Sequence, residues 1–230
     1  PIGLQSCIMK IYERICDTRA RSILHIPQEQ CGFRPGFSTH TVLTRTRLLL
    51  EHAQVAGTDL QMIAADFKEA FERAWRDGIL FRLWEGGVRG PLWRVIARFF
   101  QGTTAKVRTN FGDSQPFPTH MGVIQGSVLA ALKFLLLITP LSAALRPISP
   151  TIRGITIAPQ LFADDCNLFA TSEARAQLTL TLLLTWADMW NQVVQDVKTK
   201  LLAASGSPHP LSCMGQNFKR VHDLVLLGVG

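Results

Sequence analysis

Residues 161–169 read Leu-Phe-Ala-Asp-Asp-Cys-Asn-Leu-Phe, two adjacent carboxylates between two apolar arms. Such arms form strands and bury themselves, and the acids between them predict a turn. Neighbouring carboxylates in apolar surroundings repel each other and are poorly solvated. A fold that accepts them must open the turn to water or bring a cation to it. A third acid, Asp66, ends the apolar run Met62-Ile63-Ala64-Ala65. Mg²⁺ prefers hard oxygen ligands and is held by one or two carboxylates plus substrate phosphates. Two such ions about 3.5–4 Å apart can activate a hydroxyl and stabilise a leaving oxygen. On these residues alone, an acidic hairpin turn at Asp164-Asp165 and a helix cap at Asp66 explain the sequence equally well.

Composition narrows the setting. The 230 residues carry a net charge of +7, with 47% hydrophobic and 18% charged residues. That apolar content excludes a disordered chain. A basic globular chain usually faces a polyanion, with nucleic acid first and an anionic membrane surface as the rival. The five cysteines are scattered without C-x-x-C spacing, which argues against a zinc site or a disulfide scaffold and for a reducing compartment. Lys10, Glu13 and Arg14 interrupt any signal peptide. The longest apolar stretch, 128–145, contains Lys133 and Pro140 and reads as a buried core helix, not a membrane span. The chain opens on Pro1-Ile2 without Met and closes on Leu227-Gly228-Val229-Gly230, so both ends read as cut from something longer.

The periodicities predict helices over residues 4–24, from a Ser38 or Thr39 cap to about Val55, over 67–75, 79–84 and 91–100, from Val128 onward, and over 173–190 with a continuation toward Leu202. Strands are predicted at 60–65, in a hairpin around Gly112-Asp113, at 152–157, on either side of Asp164-Asp165, and at 224–229. Residues 30–39 and 205–210 read as loops.

Three segments occur in order: Asp66-Phe67-Lys68-Glu69-Ala70-Phe71, then Gly122-Val123-Ile124-Gln125-Gly126-Ser127-Val128-Leu129, then Phe162-Ala163-Asp164-Asp165. Together they resemble the palm motifs of reverse transcriptases. The stretch Gln30 to Thr39, Pro1-Ile2, Lys198-Thr199-Lys200 and Leu227-Gly228-Val229 narrow the resemblance to the non-LTR, LINE-like retrotransposon branch. It spans essentially the whole chain and rests on joint order and spacing. It implies an α+β fold, an antiparallel palm sheet carrying the acids with helical fingers, and a thumb absent or truncated. Residues 1–60 would be fingers-like and 61–230 palm with residual fingers segments.

The resemblance also implies roles. Asp66 and Asp164 would ligate Mg²⁺, or Mn²⁺, with Asp165 completing the cluster. Phe67, Phe71, Gln125, Gly126 and Lys198 would face the deoxynucleoside triphosphate, the Phe71 ring excluding a 2′-hydroxyl. Arg34, Leu227 and Gly228 would contact the RNA template and DNA primer. The implied activity is RNA-directed DNA synthesis by a polyprotein with further domains, without a membrane, in the nucleus at the site of integration. Taken singly, these residues read as a core aromatic, an ordinary turn, surface bases and a strand end. The sequence departs from the family at Ile124, Glu72, Gln195, Ala130, Ala131 and Lys133, and the arginine expected before Pro1 is absent. The intact acids amid drifted surroundings fit a divergent enzyme or an inactive descendant that keeps the fold and some nucleic-acid affinity.

Overall fold

The computed structural model describes residues 5–202 and 210–221, so the expected strand at 224–229 and nearly all of the expected loop at 205–210 lie outside the described residues. The helices are α1 (Cys7–Arg21), α2 (Thr39–Val55), α3 (Arg76–Glu85), α4 (Gly90–Arg98), α5 (Val128–Leu145) and α6 (Glu173–Met189). The strands are β1 (Gln61–Ala65), β2 (Thr104–Ala105), β3 (Arg108–Thr109), β4 (Gly112–Asp113), β5 (Phe117–Pro118), β6 (Thr151–Ile152), β7 (Ile155–Thr156), β8 (Gln160–Phe162), β9 (Asp165–Ala170), β10 (Lys200–Leu202), β11 (Leu211–Cys213) and β12 (Gln216–Val221). The fold is mixed α and β. It divides into two compact units, each drawn from two separated segments: residues 1–25 with 71–137, and 26–70 with 138–230.

The second unit holds a six-stranded sheet in the order β11-β12-β10-β1-β9-β8. Its pairings are antiparallel except β10 with β12. β1 lies between two neighbours, and Gln61, Met62, Ile63 and Ala65 are all buried, which is why this strand reads as a continuous apolar run instead of alternating. Met62 and Phe169 pack with Ala53, Leu60, Ile152 and Ile157 in one cluster, and α6 packs against β9 and β11. Ser38 caps α2, its backbone N–H donating to Thr41 Oγ1 at 3.1 Å.

Three expectations are corrected here. Residues 67–75 are turns, not helix: Phe67 bridges Val194, the Lys68 N–H donates to the Val193 carbonyl at 2.8 Å, and Glu69 is left-handed at φ 52°. Residues 152–157 form a tight hairpin, β6 and β7, around Arg153 and Gly154 at φ 47° and 81°. Finally, α6 stops at Met189. The Gln192 N–H returns to the Ala187 carbonyl at 2.7 Å, and residues 200–202 become β10, pairing with β1. At 67–68 and 200–202 a partner distant in sequence overrides local propensity, whereas at 152–157 the left-handed Arg153-Gly154 turn folds the strand back on itself.

In the first unit, two buried charges anchor the segment before α5. Glu13, 2% exposed, accepts from Ser127 Oγ at 2.9 Å and from the Val128 and Leu129 N–H groups at 2.8 and 3.5 Å. A carboxylate there complements the positive end of the helix. Arg76 donates to carbonyls and hydroxyls across 100–122. Lys133 is buried with its Nζ 4.2 Å from the Phe100 ring centroid; burial pushes its pKa down to about 8, against the pull of Glu13. Helix α5 is long and apolar enough to cross a bilayer by length and composition, yet Leu129, Leu132, Phe134, Leu135, Leu137, Ile138 and Leu141 are each at most 1% exposed. A helix that is apolar and mostly buried in this way reads as a core helix.

Gly122 has φ +83°, and a Cβ there would lie 2.6 Å from the Glu72 carbonyl oxygen. Gly122→Ala is therefore expected to cost about 2–3 kcal/mol through strain and overlap with backbone. Urea denaturation measures it; a loss below about 0.5 kcal/mol would show the segment free to shift.

Candidate active site

The register of β1 and β9 gathers the acids. Ala65 pairs with Cys166, so the next residue outward on each strand is an acid: Asp66 leaves β1 where Asp165 enters β9. Phe162 pairs with Asp165, which leaves Ala163 and Asp164 as the two-residue loop of the β8–β9 hairpin, with Ala163 left-handed at φ 56°. The expected strand–turn–strand is present, and residues about a hundred apart in sequence meet at one end of two paired strands.

The backbone of Asp66 is held from the far side of the sheet. Its N–H donates to Thr199 Oγ1 at 3.2 Å, and its carbonyl accepts from the Gln195 N–H at 2.8 Å. Thr199 is fully buried. The same turn brings Lys198 Nζ to 3.5 Å from Asp66 Oδ2. The resemblance implied a role for Lys198 alone in this turn, whereas Thr199 is the residue that ties the turn to Asp66.

The charges are under-compensated. Burial raises the pKa of Asp164; Asp66 adds to the rise, while the backbone of Asp164 and the charge of Lys198 oppose it. Asp165 is pushed up to about 6 by desolvation, then by Asp164 and Asp66, although the residue as a whole is exposed. Burial, and then the same three acids, drive the buried Cys166 thiol well upward. Asp66 Oδ2 is shielded from solvent and, among the described residues, has the Lys198 ion pair but no hydrogen bond. Among the described residues no three His, Cys, Asp or Glu side chains form a ready-made metal cage. Two strand-end carboxylates with a third beside them are instead the partial set that Mg²⁺ takes, with water and phosphate oxygens completing its shell. The residues therefore fit a divalent ion.

A pH dependence follows. Folded Asp165 keeps its proton up to about pH 6, whereas the unfolded chain loses it near pH 4. Folding thus takes up a proton between these values. The site's contribution to metal-free stability is greatest below about pH 4 and is lost as pH rises through about 6. The metal-free melting temperature should fall less between pH 4.5 and 7 in Asp165→Asn than in the wild type. Equal pH slopes in the two proteins would contradict the assignment.

Other candidates lie as follows. The Phe67 ring is buried edge-on against Trp186, with centroids 5.9 Å apart. Phe71, Gln125 and Gly126 belong to the first unit. There Phe71 stacks on Phe134 at 4.3 Å, and Gln125 Nε2 donates at 3.0 Å to Oε1 of Glu72, one of the positions where this sequence departs from the family. Arg34 turns inward: its Nη1 donates to the Pro27 and Gln30 carbonyls at 2.7 and 2.9 Å, and its guanidinium lies 4.6 Å from the Phe37 ring centroid. Leu227 and Gly228 lie outside the described residues.

The chain belongs to the reverse transcriptase (RNA-dependent DNA polymerase) family, whose sequence pattern matches residues 1–225. Its curated relatives include two transposon proteins. It is 29% identical over 212 residues to the probable RNA-directed DNA polymerase from transposon BS of Drosophila melanogaster, covering 86% of this chain and 23% of that protein. It is 29% identical over 140 residues to the corresponding X-element protein of the same organism, covering 59% and 15%. The chain thus spans under a quarter of the length of these relatives. Two telomerase structures from Candida tropicalis share its fold. One is in complex with a TWJ fragment of telomeric RNA, with TM-score 0.64, 12% identity and coverage of 89% of this chain and 35% of that one. The other is the apo enzyme, with TM-score 0.63, 13% identity, and 92% and 39% coverage.

Proposed function

We propose that this chain is the RNA-directed DNA polymerase domain of a retrotransposon protein, extending a DNA primer with deoxynucleoside triphosphates on an RNA template. The observation that carries the reading is the convergence of Asp66 with Asp164-Asp165 at one end of β1 and β9, three acids that the charge of Lys198 opposes only in part. The sheet-bearing unit is then the palm and the other unit the fingers, so that residues 26–60 go with the palm. Asp66, Asp164 and Asp165 would hold Mg²⁺, or Mn²⁺. The chemistry that two bound ions supply there is activation of the primer 3′-hydroxyl and neutralisation of charge building on the α-phosphate, with pyrophosphate leaving. Thr199 and Gln195 fix the Asp66 backbone, and Lys198 places a positive charge beside its carboxylate. Phe71, Gln125 and Gly126 keep the nucleotide roles that the resemblance implies, and Arg34, Leu227 and Gly228 the nucleic-acid roles. The reaction belongs at the nuclear site of integration. Further domains of the same polyprotein would flank it.

Primer extension on poly(rA)/oligo(dT) with Mg²⁺, with Asp164→Ala as control, tests the reading. Folded protein that binds the duplex yet adds no nucleotide would identify an inactive descendant. Binding itself should run through phosphates. With a net charge of +7, log Kd against log salt should slope steeply, by about 0.9 per phosphate neutralised, with little dependence on sequence. Filter binding from 50 to 200 mM KCl measures it; affinity unmoved by salt would count against the polymerase reading.

A further inference from the structure

We infer that Gln30 and Gly32 are positioning residues for the acidic turn, a brace that sets where Asp164 and Asp165 stand. The inference rests on the function proposed above. The turn is a difficult piece of backbone. Its first loop residue, Ala163, carries a side chain in the left-handed region, and its next two residues are carboxylates that repel one another. It also hangs from β8, the edge strand of the sheet, where no further strand among the described residues stiffens it.

The segment around Gln30 supplies the missing support. The Leu161 N–H donates to the Glu29 carbonyl at 2.8 Å, and the Cys31 N–H donates to the Leu161 carbonyl at 2.7 Å, so residues 29–31 close the open edge of β8. The Gln30 side chain, wholly buried, then reaches the turn itself. Its Oε1 accepts from the Gly32 N–H at 2.7 Å and from the Ala163 N–H at 3.2 Å, while its Nε2 donates to the Ala163 carbonyl at 3.4 Å. One amide thus bonds both backbone groups of the strained residue, fixing the peptide planes on either side of it, 133 residues away in sequence. The amide orientation is determined, because exchanging its O and N would aim a donor at two N–H groups. Gly32 completes the fit: a Cβ there would lie 2.2 Å from the Ala163 nitrogen and 2.9 Å from its Cα. Any side chain at 32 must push the turn away. Arg34, bonded to the Pro27 and Gln30 carbonyls, keeps this loop closed on itself.

The test uses the intact protein and two variants. Gln30→Met keeps the length and bulk of the side chain and removes its hydrogen bonding; Gly32→Ala adds one methyl against the turn. Ile152→Ala, in the core cluster away from the turn, is the control for general loss of stability. Hydrogen exchange across 160–168 should quicken at least about tenfold in both variants while β1 amides keep their protection. kcat for nucleotide addition should fall about 10²-fold, as misplacement by an ångström does, with KM for the nucleotide within about threefold. Ile152→Ala should lower the melting temperature without moving kcat. Wild-type exchange at the turn, or wild-type kcat, in folded Gln30→Met would overturn the inference. If Gln30→Met does not fold, Gly32→Ala is read by the same criteria. Failure of both to fold would assign the pair to general stability and overturn the positioning role. If the wild-type protein itself adds no nucleotide, the polymerase reading fails, and the exchange comparison still decides whether the brace exists.

Discussion

Asp164→Asn is expected to lower the kcat of RNA-templated DNA synthesis by about 10³-fold or more, while the metal-free protein melts no lower than the wild type. Under the proposed function the loss of rate follows from removing a carboxylate that would hold ions neutralising the reacting phosphate, an electrostatic contribution of that order. The second half is more discriminating. Asp164 and Asp165 both have raised pKa values, foremost from desolvation, and each is further raised by neighbouring acids. Ionised at neutral pH and without metal, they work against the fold. A neutral amide at 164 relieves Asp165 of its nearest repulsion. An ordinary structural residue would behave oppositely, its substitution costing stability and activity together. Addition of Mg²⁺ should raise the wild-type melting temperature and leave that of Asp164→Asn nearly unmoved. A variant that is destabilised without metal yet retains synthesis would return the pair to a plain hairpin turn.

Arg76→Met is expected to cost about 3–5 kcal/mol, enough to unfold much of the first unit. Arg76 as a residue is 8% exposed. It donates to the Gly122, Phe100, Thr119 and Met121 carbonyls at 2.9, 3.3, 2.7 and 3.0 Å, and to Thr103 and Thr119 Oγ1 at 2.9 and 3.2 Å. These partners are all neutral oxygens, and burial draws its pKa downward. Removing it strands several buried acceptors at once, each costing about 1–3 kcal/mol when left unpaired. Arg76→Lys should recover little, because an ammonium offers three donors from one point and cannot span the same oxygens. The functional consequence falls on residues 122–127, which Arg76 and Glu13 hold from opposite ends and which carry Gln125 and Gly126. Chemical denaturation followed by tryptophan fluorescence checks the magnitude; a loss under about 1 kcal/mol would mean that the carbonyls find other donors.

What was legible in the sequence was whatever local patterning controls. The acidic hairpin announced itself through its apolar arms, α2 through its serine cap, and α5 through an apolar run too continuous for a surface helix. The acids stood out because charge beside a buried strand is chemically conspicuous, but a plain turn and a helix cap explained them equally well until the ordered motifs around them were added. What was not legible depends on partners distant in the chain. Residues 67–75 have helical spacing, but Phe67 and Lys68 are claimed by Val194 and Val193. Residues 200–202 continue a helical pattern, but β1 needs a second neighbour and takes them. Glu13 sits on an otherwise ordinary helix, and nothing in its vicinity tells that Ser127 and Val128 will consume its carboxylate. Gln30 and Thr199 were visible only as members of motifs, since their roles are hydrogen bonds to backbone 133 residues away.

The most direct measurement is titration of Mn²⁺ followed by its electron paramagnetic resonance signal, which free Mn²⁺ gives and bound Mn²⁺ loses. It would be made on the intact protein with an RNA template, a chain-terminated DNA primer and the matching deoxynucleoside triphosphate. The wild type is expected to take up two ions that Mg²⁺ displaces, with loss of at least one in Asp66→Asn and in Asp164→Asn. Equal Mn²⁺ uptake by the wild type and both variants would contradict a metal site at Asp66 and Asp164.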